Sequence, residues 1–391
     1  MSNSIDLILA SASDAGLGEQ FKAVINYLCQ PQWFVSLAVL GLIFSLIAYR
    51  QLTRPMVAVA LALSCVVFYI WSAFDEDFFL IITKPDNVPI TIMLVCTGFV
   101  TWVGFRQAAV NDRRLERGEP LIESGAEDKV LVWPDLVYTE LVALVLCTVA
   151  LVVWAIVLKA PLEPTANPTN IPNPSKAPWY FLGLQELLVY FDPWIAGVLL
   201  PSFIVVGLIA LPYLDKNPRG NGYYTFKERK FVISMYMFGW IIMWLLLIVL
   251  GTFLRGPNWN IFGPYETWDP HKPVALVNIN ISDIFWIVIP DVLNAEWWKP
   301  GLPTEPILGF VPAYLVRESP GMILLGGYFC VLPVLFAKTI FKKIYQDIGF
   351  VRFCIFWMLM SWLFIVPIKM VLRWAFNLKY FVALTEFFLN V

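Results

Sequence analysis

The sequence predicts an all-α fold, a polytopic membrane helix bundle of about eight transmembrane helices, on three observations. The 391 residues are 59% apolar and only 14% charged, where soluble domains average about 45–50% and about 25%. Eight runs are long and apolar enough to approach the roughly 20 residues that a membrane span needs. The basic residues of the loops between these runs fall alternately on one side. The net charge of −2 gives no reason to expect nucleic acid.

The eight predicted spans run over 33–49, 56–74, 88–105, 135–158, 194–214, 231–254, 320–338 and 351–372. In lipid every backbone polar group needs a partner within the segment, so these are helices rather than open strands. Arg50 and Arg54 lie in the first turn between spans. Arg106, Arg113, Arg114, Arg117 and Lys129 follow the third span. Lys216, Arg219, Lys227, Arg229 and Lys230 follow the fifth, and Lys338, Lys342 and Lys343 the seventh. The loop 75–87 holds Asp75, Glu76, Asp77 and Asp86 against Lys84 alone. By the positive-inside rule the basic side is cytoplasmic. The N-terminus and loops 75–87, 159–193 and 255–319 are then external. Residues 1–20 lack a basic start, and Asp6 and Asp14 interrupt the apolar stretch, so insertion falls to the later spans.

Two external segments are long, and long loops are usually functional. Residues 159–193 are rich in proline, with Pro161, Pro164, Pro168, Pro172, Pro174 and Pro178. Residues 255–319 hold Trp259, Trp268, Trp286, Trp297 and Trp298, a composition suited to the membrane–water interface. The six cysteines form no C-x-x-C pair and read as small hydrophobes. The sequence has one histidine, His271, in an external Trp-Asp-Pro-His stretch. It reads as a surface group, and no metal site is expected on this chain.

Residues 133–214 carry an ordered set of signals. Trp133-Pro134-Asp135 opens a span, and Ala160-Pro161-Leu162-Glu163-Pro164 leaves it. Asn173-Pro174-Ser175-Lys176-Ala177-Pro178-Trp179-Tyr180-Phe181-Leu182 follows, and the next span ends Leu211-Pro212-Tyr213-Leu214-Asp215. This order resembles the C-terminal domain of cytochrome b, and more closely subunit IV of the cytochrome bf complex. Arg255-Gly256-Pro257-Asn258-Trp259-Asn260 and Trp268-Asp269-Pro270-His271-Lys272 are similar to bacterial members of that family. The chain then divides into an N-terminal extension with three spans (1–132), the subunit IV-like domain (133–272), and an external loop with two further spans (273–391).

The resemblance implies a subunit of a quinol:cytochrome c (bc-type) oxidoreductase of the bacterial cytoplasmic membrane, moving protons as quinol is oxidised outside and quinone reduced inside. It implies a quinone, menaquinone or ubiquinone, bound beside Ala177, Pro178, Trp179, Tyr180 and Phe181. Its partners would be a haem-bearing cytochrome b subunit, a Rieske iron–sulfur protein and a c-type cytochrome, all in membrane lipid. A b haem in this family sits between two histidines, so one histidine implies that this chain ligates no haem, and that the b haems and the iron–sulfur cluster sit on partner subunits.

The family's loop motif is Pro-Glu-Trp-Tyr, and its glutamate takes up a quinol proton. Here that position is Pro178, which cannot. The departure hints at a low-potential quinone such as menaquinone. Glu186 is the nearest substitute, six residues beyond Tyr180, or about 9 Å of helix rise. It reads either as the functional acid, with Tyr180 as a catalytic partner, or as a structural glutamate; Glu163 and Asp192 are the other acids in reach. Trp179 and Tyr180 read as the walls of the ring pocket or as interfacial anchors. Asp135 and Glu140 open the fourth span, either meeting the helix dipole or taking up protons on the cytoplasmic side. Lys338, Lys342 and Lys343 read as a topology signal at anionic headgroups. Two other functions compete: a non-catalytic membrane anchor of a redox complex and, with less support, a transporter.

Overall fold

The computed structural model describes residues 16–125, 130–158, 165–169, 174–215, 223–272, 277–294, 301–306, 311–387 and 389–391. Lys129, residues 160–164 with Glu163, Asn173, Lys216, Arg219, Trp297 and Trp298, all noted above, lie outside them. The regular structure of the described residues is helical, apart from a two-residue antiparallel pairing of β1 (Ala383–Leu384) with β2 (Leu389–Asn390) and isolated bridges.

Among the described residues, seven helices are long and apolar enough to cross a membrane: α3 (Pro55–Ser72), α5 (Asn87–Glu116), α6 (Val132–Val157), α8 (Ile195–Leu214), α9 (Lys230–Leu254), α10 (Ser319–Lys338) and α11 (Lys342–Phe376). An eighth is a pair, α1 (Leu17–Leu28) and α2 (Pro31–Ile47), bent by 86°. Pro31 opens α2, where its missing N–H is no loss. The chain is a multi-pass membrane protein of the predicted class.

Three boundaries differ from the sequence expectation. The helix α1 was not expected. It turns sideways against the end of α3 and the loop after it, with Lys22 paired to Asp75 at 2.8 Å and Phe21 edge-on to Trp71. The helix α5 runs on to Glu116 through the arginines read as loop. At 30 residues it is about 45 Å long, well past the roughly 30 Å of hydrocarbon. Within the region read as external loop, 281–292 is helical but too short to span.

The core gathers α2, α8, α9 and α11 around a short helix, α7 (Leu182–Leu187). Leu187, Phe191, Ile195, Ile242, Leu250, Ile365 and Met370 are buried there. The last span therefore extends the bundle of the middle segment: Phe203 stacks on Trp362, and Phe238 on Phe364. In contrast, no residue in the apolar window of α6 is buried. A helix apolar all round and uncovered by its own chain has lipid or another chain as its solvent.

Loops read as lying on one side meet one another. Tyr265 bonds the Ser72 hydroxyl at 2.6 Å and donates its backbone N–H to Asn26 at 3.0 Å, while Thr267 donates to Asp77 at 3.0 Å. At the other end, Asp112 accepts from the Tyr49 hydroxyl (2.8 Å) and the Lys227 backbone N–H (3.1 Å). Glu116 there pairs with Arg50 at 2.7 Å and Lys227 at 3.1 Å. The N-terminal spans are thus fastened to the middle segment at both ends.

Candidate functional site

The loop singled out by its motif is folded back onto the end of α9. Gln185 of α7 grips it: its Oε1 accepts from the Ala177 N–H at 2.9 Å, and its Nε2 donates to the Ser175 carbonyl at 3.1 Å. Pro178 has the extended backbone of a residue entering a turn, and Trp179–Phe181 form one tight helical turn running into α7. Two glycines let α7 lie directly on α9. A Cβ on Gly251 would stand 3.3 Å from the Leu182 carbonyl, and one on Gly183 3.4 Å from that of Trp244.

Aromatic rings line the outer side of this contact. Trp179 meets Trp244 at 6.1 Å between centroids, and Trp244 donates its indole N–H to the Tyr180 carbonyl at 3.3 Å. The row continues along α9 through Trp240 and Tyr236, at four-residue spacing on one face. Trp179, Tyr180 and Phe181 are all exposed, at 37%, 46% and 49%. The residues expected to line a pocket are thus brought together, with open rings on one side. The three-member row on α9 was legible from its spacing and was missed.

Glu186 faces inward and is 0% exposed. Arg255 donates to both its oxygens, Nε to Oε2 at 2.8 Å and Nη2 to Oε1 at 2.5 Å. The third guanidinium nitrogen donates to the Trp259 carbonyl at 2.6 Å. The carboxylate proposed as a substitute acid is therefore engaged at both oxygens by one cation. Asp192, the other acid considered, accepts from the Tyr380 hydroxyl at 3.0 Å. Burial and that carboxylate push the phenol of Tyr380 up to about 12.

Lys176, within the motif stretch, is the loop's own cation. Its Nζ donates to the Thr252 carbonyl at 2.6 Å and lies 5.2 Å from the ring centre of Trp268. Burial lowers its pKa to about 7; the nearby cations Lys84 and Arg255 add to the fall, and Asp86 and Glu186 oppose it. Lys369, inside α11, is a second buried cation, within the last predicted span. It is fully buried, and its Nζ has no hydrogen-bond partner among the described residues, with the Phe381 ring at 4.3 Å, Phe191 at 5.7 Å and Tyr380 at 5.9 Å.

Asp135 and Glu140 stand exposed near the start of α6, and the structure joins them to no other site residue. His271 is exposed beside Asp269. Among the described residues no group of three or more His, Cys, Asp or Glu side chains could hold a metal ion.

No curated protein and no solved structure matches the chain. The family match begins beyond α6, covers about a quarter of the sequence, and lies within the stretch whose motifs resemble cytochrome b. The segment that folds the motif loop onto α9, residues 165–268, matches the family model described as cytochrome b(C-terminal)/b6/petD.

Proposed function

We propose that this chain is a cytochrome b-type subunit of a quinol-oxidising, bc-type membrane complex, and that its motif loop forms part of the quinol site. The observation that carries this reading is the cluster of Trp179, Tyr180 and Phe181, held open against Trp244 within the matched segment. A flat ring needs aromatic walls and a few polar groups that fix its orientation. Tyr180 offers a hydroxyl among such walls, with Ala177 and Pro178 at the pocket edge. Asp135 and Glu140 are free to serve proton uptake on the opposite side, where a partner chain would cover α6.

The chain has one histidine, exposed in a loop, and cannot supply a bis-histidine haem pair. The b haem then belongs to a haem-bearing cytochrome b partner, the iron–sulfur cluster to a Rieske protein, and the final acceptor is a c-type cytochrome. The basic loops put the N-terminus and the quinol loop outside a bacterial cytoplasmic membrane. Quinol oxidised there releases its protons outside.

A second reading is a non-catalytic anchor for other redox subunits. It is favoured by Pro178 at the position of the motif acid and by Glu186 being saturated by Arg255. Gentle purification of the native complex separates the two. Under the first reading, b-type haem co-purifies, quinol reduces it, and a quinol-site blocker stops the reduction. Haem that co-purifies but ignores quinol supports the anchor; a chain that comes away with no haem overturns both.

A further inference from the structure

A quinol site needs a group to take the proton of the ring hydroxyl, and neither the motif position nor Glu186 offers one. Pro178 has no proton-accepting side chain, and both oxygens of Glu186 are held by Arg255. The unused chemistry lies three residues before Trp179. Lys176 donates one N–H to the Thr252 carbonyl and lies against the Trp268 ring. Both neighbours leave a buried polar atom without a partner among the described residues, the Thr252 hydroxyl and the Trp268 indole N–H. Buried polar atoms nearly always have one. Two orphans on the two residues that touch one amine suit a ligand oxygen, since the indole can only donate and the hydroxyl can do either.

We propose that Lys176 is the proton acceptor of the loop site, working as a neutral amine on the hydroxyl of a hydroquinone; this rests on the quinol-oxidising reading above. In the step, the quinol O–H bond breaks and an N–H bond forms. The amine becomes an ammonium, the quinol becomes its monoanion, and no electron moves. The electrons leave afterwards, singly, to the iron–sulfur centre and the haem of partner subunits. The ammonium returns its proton to water at the exposed edge formed by Ser175 and Pro178.

A general base works best when its pKa lies near the working pH. An ordinary lysine is almost wholly protonated there, whereas burial leaves Lys176 near 7. The charged groups around it are Lys84 and Asp86, from the turn between α4 (Glu76–Thr83) and α5, and the Arg255–Glu186 pair. Lys84 and Arg255 favour the neutral amine, and Asp86 and Glu186 favour the ammonium.

The test is the pH profile of quinol-driven haem reduction in the purified complex, using a short-chain hydroquinone. The wild-type rate rises through about pH 7 as the amine loses its proton. In K176M that limb disappears and the rate falls by roughly tenfold or more. K176R behaves likewise, because a guanidinium does not deprotonate. K84M keeps Lys176 and removes a cation that lowers its pKa, so the limb moves to higher pH; D86N moves it to lower pH. A limb that survives in K176M, or stays put in both K84M and D86N, overturns the proposal. If K176M does not assemble, the Lys84 and Asp86 variants decide. A wild-type complex that oxidises no quinol overturns the functional reading itself.

Discussion

Arg255, at the end of α9, closes a two-point ion pair on Glu186, 69 positions earlier in the chain, with N–O distances of 2.8 and 2.5 Å. The pair ties α7 to the loop after α9, through the third bond from Arg255 to the Trp259 carbonyl. Removing one partner of a buried pair strands the other charge and costs about 3–5 kcal/mol. E186A and R255A are each expected to lower the unfolding midpoint of the detergent-solubilised protein clearly. A double change to leucine and methionine is expected to recover much of the loss, since no lone charge stays buried. If both singles leave the midpoint unmoved, the pair does not hold the loop.

Asp112 makes a comparable joint at the opposite end. It is fully buried and gathers the Tyr49 hydroxyl and the Lys227 backbone N–H. In D112A the buried Tyr49 hydroxyl loses its acceptor, at about 1–3 kcal/mol, and the part-buried Lys227 N–H loses its own at smaller cost. Loosening is expected where Lys227 leads into α9. Hydrogen exchange over 223–230 should quicken relative to wild type, while exchange in the core of α11 should not.

The spans were legible because lipid demands long apolar runs. The sideways turn of α1 was not, because Asn26, Lys22 and Phe21 acquire meaning only from Tyr265, Asp75 and Trp71. The loop motif pointed to Trp179 and Tyr180, and the structure sets both beside Trp244. It could not tell that Glu186 is occupied, since its partner lies 69 residues away. Lys176 stood in plain view between two prolines, yet nothing in its local sequence marks burial against Thr252 and Trp268.

Tyr180 and Trp179 separate ring binding from simple anchoring. If they wall a quinol pocket, W179A and Y180A raise the KM for quinol several-fold, each ring contact being worth about 0.5–1.5 kcal/mol. Y180F keeps the ring and loses only the hydroxyl, so its KM should lie nearer wild type while its kcat reports on that hydroxyl. Steady-state kinetics with a short-chain hydroquinone check this. Unchanged KM in both alanine variants would assign the rings to anchoring.

Lys176 also links stability to pH, and the sign can be worked out. Its pKa is about 7 in the folded protein, against an ordinary 10.5. Between those values the unfolded chain binds the extra proton, so stability rises with pH there. Below pH 7 both states are protonated and the whole penalty of burying the ammonium is present. The midpoint difference between wild type and K176M should therefore shift in favour of wild type from about pH 7 to 10. A difference flat across that range shows that Lys176 titrates normally.

Lys369 gives a prediction opposite in direction to the Glu186 case. Its amine is fully buried within α11 with no hydrogen-bond partner among the described residues, and the visible compensation for any charge there is three aromatic rings, the nearest at 4.3 Å. Contacts of that kind are worth up to about 2 kcal/mol each when desolvated, while burying an ion costs several. An apolar side chain of similar length needs no such compensation. K369M is accordingly expected to be as stable as wild type or more so, as measured by thermal unfolding in detergent. K369A, which empties the space among Phe191, Tyr380 and Phe381, is expected to be less stable by about 2–4 kcal/mol through the cavity it leaves. A K369M protein that unfolds as early as K369A would mean that the rings hold the cation more strongly than water does, so that the charge itself supports this end of the bundle.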